Sequence, residues 1–142
     1  MEAKKTDRRV QDLAFEAGED FSAGVMRRVV VDAVLEDDQL GALVDVAVRA
    51  EAAADLRELR AGDDAPGLAE LWNAWQTVDG LVGVRLEETV ADACRRVLED
   101  AGEWVREGHW TRAEAREGRF EAREWLQRHP EQLDADSVEA RR

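Results

Sequence analysis

Few residues in this chain could carry catalytic chemistry. Its 142 residues include one cysteine, two histidines and no tyrosine. The lone Cys94 excludes an internal disulfide, and a cysteine zinc site would need ligands that are absent. His109 and His129 stand in neither Glu-x-x-His nor His-x-x-x-His spacing, so di-iron and zinc-protease helices lack their ligand set. We therefore expect no metal, no cofactor and no catalytic residue.

Phosphate-binding and membrane-spanning sequences are missing as well. Neither a Gly-x-Gly-x-x-Gly loop nor a P-loop occurs, and we identify no small-molecule substrate. No stretch approaches the roughly 18 uncharged apolar residues that a membrane span needs. The N-terminal residues MEAKKTDRRVQ run into an acidic helix pattern, which does not resemble a secretory signal. These absences predict a cytoplasmic or virion protein that has no membrane partner.

Lysine is scarce and acid is abundant. Only Lys4 and Lys5 are lysines, and 33 acidic residues outnumber 20 basic ones to give a net charge of −13. A surface rich in carboxylates stays hydrated in molar salt, where the Debye length falls to about 3 Å, so we interpret the acidity as halophilic adaptation. The alternative is an acidic protein of a high-GC bacterium or its phage. No basic patch is evident to offset the charge, so direct nucleic-acid binding is not expected.

Apolar residues recur at the helical spacing i, i+3, i+4, i+7 along almost the whole chain. The pattern predicts an all-α, compact bundle of five to six helices that forms a single domain over residues 1–130. Residues 131–142 are then a short polar tail. The predicted helices cover residues 6–17, 20–36, 39–61, 68–78, 84–107 and 112–129.

Capping residues and glycines predict where these helices begin and end. We expect Gly18 to end the first helix, Asp37 and Asp38 to cap the third, and residues 62–67 to form a loop. Asp79, Gly80 and Gly83 predict a break or kink. Gly108 ends the fifth helix, and the capping box Thr111-Arg-Ala-Glu114 opens the last one. Cys94 falls within an apolar stripe, which predicts a buried small side chain rather than a nucleophile.

The last predicted helix divides into four strips at 100° per residue. A basic row comprises Arg112, Arg116, Arg119 and Arg123, and an acidic row on roughly the opposite side comprises Glu114, Glu117, Glu121 and Glu124. One flank between the rows carries Ala115, Gly118, Ala122, Trp125 and Leu126, and the other carries Ala113 and Phe120. A helix with two apolar flanks can touch its own bundle and a second body. The residues that we predict to form an interface are Ala115, Gly118, Phe120, Ala122 and Trp125. The alternative is a solvated helix that docks by one flank only.

Three of the five tryptophans are predicted to lie in the core. Trp72, Trp75 and Trp104 fall on apolar stripes and are expected in the core, and Trp110 is expected to hold the start of the last helix. Trp125 is the tryptophan that we expect to face a partner, because aromatic side chains are enriched at interfaces.

The segment Arg123-Glu-Trp-Leu-Gln-Arg-His129 resembles the motif of the small helical HEPN ribonucleases, an arginine followed within a few residues by a histidine. The resemblance covers these seven residues. It implies a helical bundle that cleaves RNA with Arg123 and His129. Glu124 stands where that family commonly has a polar residue after the arginine, and Pro130 directly follows the histidine.

Taken together, these patterns predict a non-enzymatic, salt-adapted helical protein that acts through protein–protein contacts, either with another protein or by self-association. A viral structural or connector protein and an accessory subunit of a larger assembly both fit. One alternative is a small acidic inhibitor, such as an antitoxin or anti-defence protein, that mimics nucleic-acid charge. The HEPN-like ribonuclease is a second alternative.

Overall fold

Helices make up nearly all of the described chain. The computed structural model describes residues 5–61 and 67–132, and no strand occurs in these two ranges. The helices are α1 (Lys5–Glu19), α2 (Gly24–Leu35), α3 (Asp38–Ala61), α4 (Leu68–Arg106) and α5 (Arg112–Arg128). Residues 130–132 are also helical. The helices pack into one all-α domain, as predicted. Most of the predicted loop (residues 62–66) and of the polar tail (residues 133–142) lies outside the described residues.

Of the break or kink predicted at residues 79–83, the break is wrong. α4 is one helix of 39 residues that runs through Gly80 and Gly83. A glycine inside a helix costs about 1 kcal/mol relative to alanine, which weakens a helix without ending it. Val82, between these glycines, and Val90, beyond them, both lie in the buried core, so packing along α4 continues past the glycines. Asp79 is paired with Arg9 of α1 at 3.1 Å.

Gly18 does not end α1, contrary to the prediction. The glycine is buried inside the helix, and a Cβ placed there would lie 3.0 Å from the side chains of both Arg27 and Val31 of α2. The missing side chain therefore lets α2 approach α1 closely. α2 begins at Gly24, four residues later than predicted, because the preceding turn inserts Phe21 into the core with only 1% of its surface exposed.

The start of α3 is held by Asp37, as predicted. Its Oδ1 atom accepts a 3.0 Å hydrogen bond from the backbone N–H of Leu40, and its Oδ2 atom lies 2.9 Å from Nε of Arg85 on α4. The hydroxyl of Thr89, also on α4, donates to the same oxygen. Burial by itself raises the pKa of Asp37, but the hydrogen bonds from Thr89, Leu40 and Arg85 outweigh it and hold this pKa below its ordinary value of 3.8. This cluster joins α3 to α4 at the middle of the bundle.

The main core lies between α1, α2, α4 and α5 and the first half of α3. Cys94 is completely buried in it, as predicted, and burial raises the pKa of its thiol to about 12. A smaller cluster joins the second half of α3 to the start of α4 through Ala54 and Leu68, with Trp72 packed against them. Trp72, Trp75 and Trp104 are half-buried rather than in the core as predicted. Trp104 packs against the main core, Trp72 packs against the smaller cluster, and Trp75 contacts the ring of Trp72 with centroids 5.7 Å apart.

Candidate functional site

α5 begins with a capping box, as the sequence predicts. The backbone N–H of Glu114 donates to the Thr111 hydroxyl at 3.1 Å, and the Glu114 carboxylate accepts from the Thr111 N–H at 2.8 Å. The hydrogen bond from the Thr111 backbone lowers the pKa of Glu114. Gly108, with φ at +81°, allows the sharp turn that brings α5 back along α4. The basic and acidic rows of α5 are thereby placed on a rigid helix that packs against the end of α4.

Four of the five predicted interface residues face the inside of the protein. Ala115, Gly118, Ala122 and Trp125 are all buried, and Trp125 has 2% of its surface exposed. The ring of Trp110 lies so close to Gly118 that a Cβ there would be 3.2 Å from it. Trp110 thus holds α5 as predicted.

The prediction that Trp125 faces a partner is therefore wrong for the folded chain. The flank of α5 that carries it is the helix's widest apolar strip, and the apolar stripe of α4 lies beside it. Burying the two against each other removes more apolar surface from water than leaving either one exposed. With this flank buried in the chain's own core, Phe120 is the predicted interface residue that remains open to solvent.

Phe120 lies on the outer side of α5, and 57% of its surface is exposed. Its ring borders a shallow pocket of about 450 Å³, which Arg116 and Glu117 of α5 also line. An exposed aromatic ring with charged neighbours of both signs has the composition of a protein-contact surface.

Glu121 has a structural role that the sequence pattern does not reveal. Its carboxylate accepts hydrogen bonds from the backbone N–H groups of Ser22 and Ala23 at 3.0–3.1 Å, and from the Ser22 hydroxyl. Ala23 occupies the N-cap position of α2 and has no side chain that could cap it. Glu121 therefore supplies from α5 the negative charge that the N-terminus of α2 favours. The residues lie 98 and 99 positions apart, so no local motif signals the contact.

A groove between α4 and α5 gathers five arginines. It has a volume of about 500 Å³, and Gly102, Val105 and Ala115 contribute its small and apolar lining. The arginines that complete the lining are Arg106, Arg112, Arg116, Arg119 and Arg123. A Cβ at Gly102 would lie 3.0 Å from Nη2 of Arg119, so this guanidinium lies close against α4. We call this feature the arginine groove.

The arginines of the groove have no carboxylate partners in the described part of the chain. Ion pairs occur elsewhere on the described helices, including Arg49–Asp45 and Arg95–Asp92, but none involves a groove arginine. Along α5 the arginines follow one another at intervals of three or four residues, which places like charges side by side. Each such neighbour pair destabilises a helix by about 0.2–0.5 kcal/mol.

The expectation of no nucleic-acid binding relied on the lack of an evident basic patch in the sequence. The arginine groove corrects that point, because it is such a patch. Four groove arginines belong to the basic row seen in the sequence, and the fifth, Arg106, joins them only because α4 turns back on α5. Guanidinium groups present planar pairs of N–H donors that match carboxylate or phosphate oxygens. The groove can therefore hold an anion.

Arg123 and His129, which the HEPN resemblance pairs, have different surroundings. Arg123 lines the arginine groove, whereas the ring of His129 stacks on Trp125 with centroids 3.8 Å apart. The Nδ1–H of His129 donates to the backbone carbonyl of Trp125 at 2.7 Å. The histidine is thus engaged with the end of its own helix.

The described residues form neither a metal-binding cluster nor a membrane-spanning helix. No three histidine, cysteine, aspartate or glutamate side chains in residues 8–60 and 67–132 converge on a point that could hold a metal ion. None of the described helices combines the length and the apolar character needed to cross a bilayer. No protein-family model, curated protein or solved structure matches this chain.

Proposed function

We propose that this protein is a non-enzymatic component of a protein assembly and that it binds a carboxylate-rich segment of another polypeptide through α5. The arginine groove and Phe120 together form the binding surface. A structural or connector protein of a virion and an accessory subunit of a cellular complex are both components of this kind. The proposal depends on one observation, the five groove arginines without carboxylate partners in the described chain.

The charge of the whole chain makes this observation informative. The chain carries 13 more acidic than basic residues, so carboxylates are available almost everywhere on its surface. Other described arginines, such as Arg8 and Arg60, are also absent from the ion pairs, so the informative feature of the five is that they line one groove in a chain with far more acid than base. An external anion would relieve their mutual repulsion, and a bidentate carboxylate would fit each guanidinium.

The groove favours an acidic polypeptide over a nucleic acid. The groove lining includes no aromatic side chain, so Phe120 beside it is the one ring of the proposed surface on which a base could stack. Proteins that bind single strands stack successive bases, each for about 1–3 kcal/mol. A long phosphate backbone would also extend past the groove onto an acidic surface. A short acidic segment can instead place its carboxylates among the arginines and an apolar side chain on Phe120.

The direct test is a titration with a fluorescent peptide of alternating glutamate and serine that ends in leucine. The double variant Arg119→Glu/Arg123→Glu should bind it at least about tenfold more weakly than the wild type, because a hydrogen bond to a charged group contributes about 1.5–3 kcal/mol. Arg8 is exposed on α1 outside the groove, and Arg60 is exposed on α3, so Arg8→Glu/Arg60→Glu is the control with the same change in charge. The control should bind almost as the wild type does. Fluorescence anisotropy in about 0.15 M and about 2 M KCl measures both affinity and salt dependence.

Two other probes define the results that would overturn the proposal. A single-stranded oligonucleotide that bound more tightly than the acidic peptide would replace it with a nucleic-acid function. An arginine-rich peptide that bound while the acidic peptide did not would support the acidic-inhibitor alternative. Equal loss of peptide binding in the groove variant and in the control would also reject the groove, since only overall charge would then matter.

A further inference from the structure

The outer face of α5 has a charge arrangement that is symmetrical about Phe120. At 100° per residue, Arg116 and Arg123 lie about 40° and about 60° to one side of it. Glu124 and Glu117 lie at the same angles on the other side. All four charged residues are exposed. The face thus has a basic edge, an aromatic centre and an acidic edge.

The ends of this face are small or uncharged. Ala113 and Gln127 are exposed, and each lies seven residues from Phe120 and within about 20° of its direction. Together with Phe120 they form an uncharged line along the middle of the face. We call this line and its two charged edges the α5 outer face.

The charged residues of the α5 outer face are not paired within the described part of the chain. None of the seven ion pairs found in residues 8–60 and 67–132 contains one of these four residues. Glu121 belongs to the same acidic row, but its carboxylate is engaged with the N-terminus of α2. Glu117 and Glu124 are therefore the members of the row that are open to an external cation.

The symmetry of this arrangement distinguishes two ways in which two copies could pair. In an antiparallel pair of identical helices, the two-fold axis places each edge against the same edge of the other copy, so arginines would face arginines. In a parallel pair, the two-fold axis runs along the helices and places the basic edge of one copy against the acidic edge of the other. Neighbouring residues such as Arg116 and Glu117 differ by about 1.5 Å in height along the helix. In the parallel pair, Arg116 of one copy therefore lies nearly level with Glu117 of the other.

We infer that the occupant of the α5 outer face is a second copy of this chain, packed with its α5 parallel to the first. Phe120 contacts Phe120 of the second copy at the centre. Arg116 and Arg123 pair with Glu117 and Glu124 of the second copy on both edges. This inference rests on the proposed function, and it identifies the carboxylate-rich segment as the chain's own acidic row.

A charge exchange tests the pairing. The variant Arg116→Glu/Arg123→Glu has two acidic edges, and the variant Glu117→Arg/Glu124→Arg has two basic edges. Each should remain monomeric at concentrations where the wild type is dimeric, and an equimolar mixture should form a heterodimer. Sedimentation velocity of each sample measures the mass, and circular dichroism checks that both variants fold. The control Arg8→Glu/Arg60→Glu should dimerise as the wild type does.

Cysteine cross-linking tests the direction of the helices. Cys94 is buried with a pKa of about 12, so it does not compete for oxidation. In the parallel arrangement, Ala113→Cys should cross-link to itself across the dimer under mild oxidation. In an antiparallel arrangement, a mixture of Ala113→Cys and Gln127→Cys would cross-link instead, and this result would overturn the inference.

Failure of this inference can be separated from failure of the proposed function. A monomeric wild type, or a mixture of the charge variants that stays monomeric, overturns the pairing of copies. If the acidic peptide still binds the arginine groove of that monomer, the proposed function stands with a different protein as partner. If neither the peptide nor a second copy binds, both are rejected.

Discussion

Two groups of arginines in this molecule differ in how their charge is balanced. Arg85 lies between α3 and α4, where it pairs with the nearly buried carboxylate of Asp37 at 2.9 Å. The five arginines of the groove lie at the edge of α4 and α5 and have no carboxylate partner in the described residues. One chain thus contains a complete charge cluster and an incomplete one.

Solvent exposure explains why both arrangements are tolerated. The side chain of Asp37 is only 6% exposed, so removal of its partners would leave a charge without hydration in a region of low dielectric constant. Four of the five groove arginines are exposed and Arg119 is half-buried, so water can hydrate their guanidinium groups. The paired cluster is accordingly expected to contribute to the stability of the fold. The groove costs the fold little, which leaves its charge available for binding.

The largest expected effect follows from breaking the paired cluster. Asp37→Ala removes the N-cap of α3 and the partner of Arg85, and should lower the free energy of unfolding by about 3 kcal/mol. Asp38 is exposed and begins α3, so Asp38→Ala is the matched control. It should lower the free energy of unfolding by only a small fraction of the loss expected for Asp37→Ala. Urea unfolding followed by circular dichroism measures both. Similar losses in the two variants would show that the Asp37 cluster contributes no special stability.

Acid should weaken the same cluster in the wild type. The pKa of Asp37 is lower in the folded chain than its ordinary value of 3.8, because its hydrogen bonds outweigh the effect of burial. The stabilisation is therefore fully present above pH 3.8 and is lost as the pH falls through the lowered pKa. Asp37→Asn keeps a capping side chain but cannot titrate, so its stability should fall less steeply in this range. If the free energy of unfolding fell equally with pH in the wild type and in Asp37→Asn, the assignment of this pH dependence to Asp37 would be contradicted.

An intermediate effect is expected where the groove meets α4. Gly102→Ala should raise the free energy of unfolding by about 0.5–1 kcal/mol, because alanine favours a helix more than glycine does. The new Cβ would lie 3.0 Å from Arg119, so this guanidinium must shift and acidic-peptide affinity should fall severalfold. Gly83→Ala is the control, since a Cβ there meets nothing within 4 Å. It should stabilise α4 equally and leave peptide binding unchanged, and a fall in affinity in both variants would rule out a local effect on Arg119.

The smallest effect should come from removing one groove charge. In the monomer, at concentrations below dimer formation, Arg116→Gln relieves repulsion from Arg112 and Arg119, so the free energy of unfolding should rise by roughly 0.2–0.5 kcal/mol in low salt. The gain should disappear in about 2 M KCl, where screening removes the repulsion. Thermal unfolding at the two salt concentrations measures the difference. A loss above about 1 kcal/mol would mean that Arg116 has a stabilising partner, which would erase the contrast with Arg85.

Helix positions were predictable from the sequence where local chemistry decides them. The capping box at Thr111 and the cap at Asp37 both satisfy backbone N–H groups within three residues of themselves, so no distant contact is needed. Glycines were less informative about where helices end. Gly18, Gly80 and Gly83 are all inside helices, because packing against neighbouring helices outweighs their unfavourable helix propensity.

The candidate site was predictable only in part. The basic row of α5 and the exposed position of Phe120 follow from helical periodicity, which places every residue on a strip. Periodicity does not say which of two apolar flanks faces the core. The sequence pattern therefore assigned Trp125 to a partner, although it is almost completely buried in the main core.

The all-α class, the approximate helix positions and the separation of charge along α5 were determined by the sequence itself, since each depends on residues within a few positions of one another. The tertiary structure alone decided that Arg106 of α4 completes the arginine groove and that Glu121 caps α2. These contacts join residues distant in sequence, and they exist because burial of the apolar stripes fixes how the helices lie against one another.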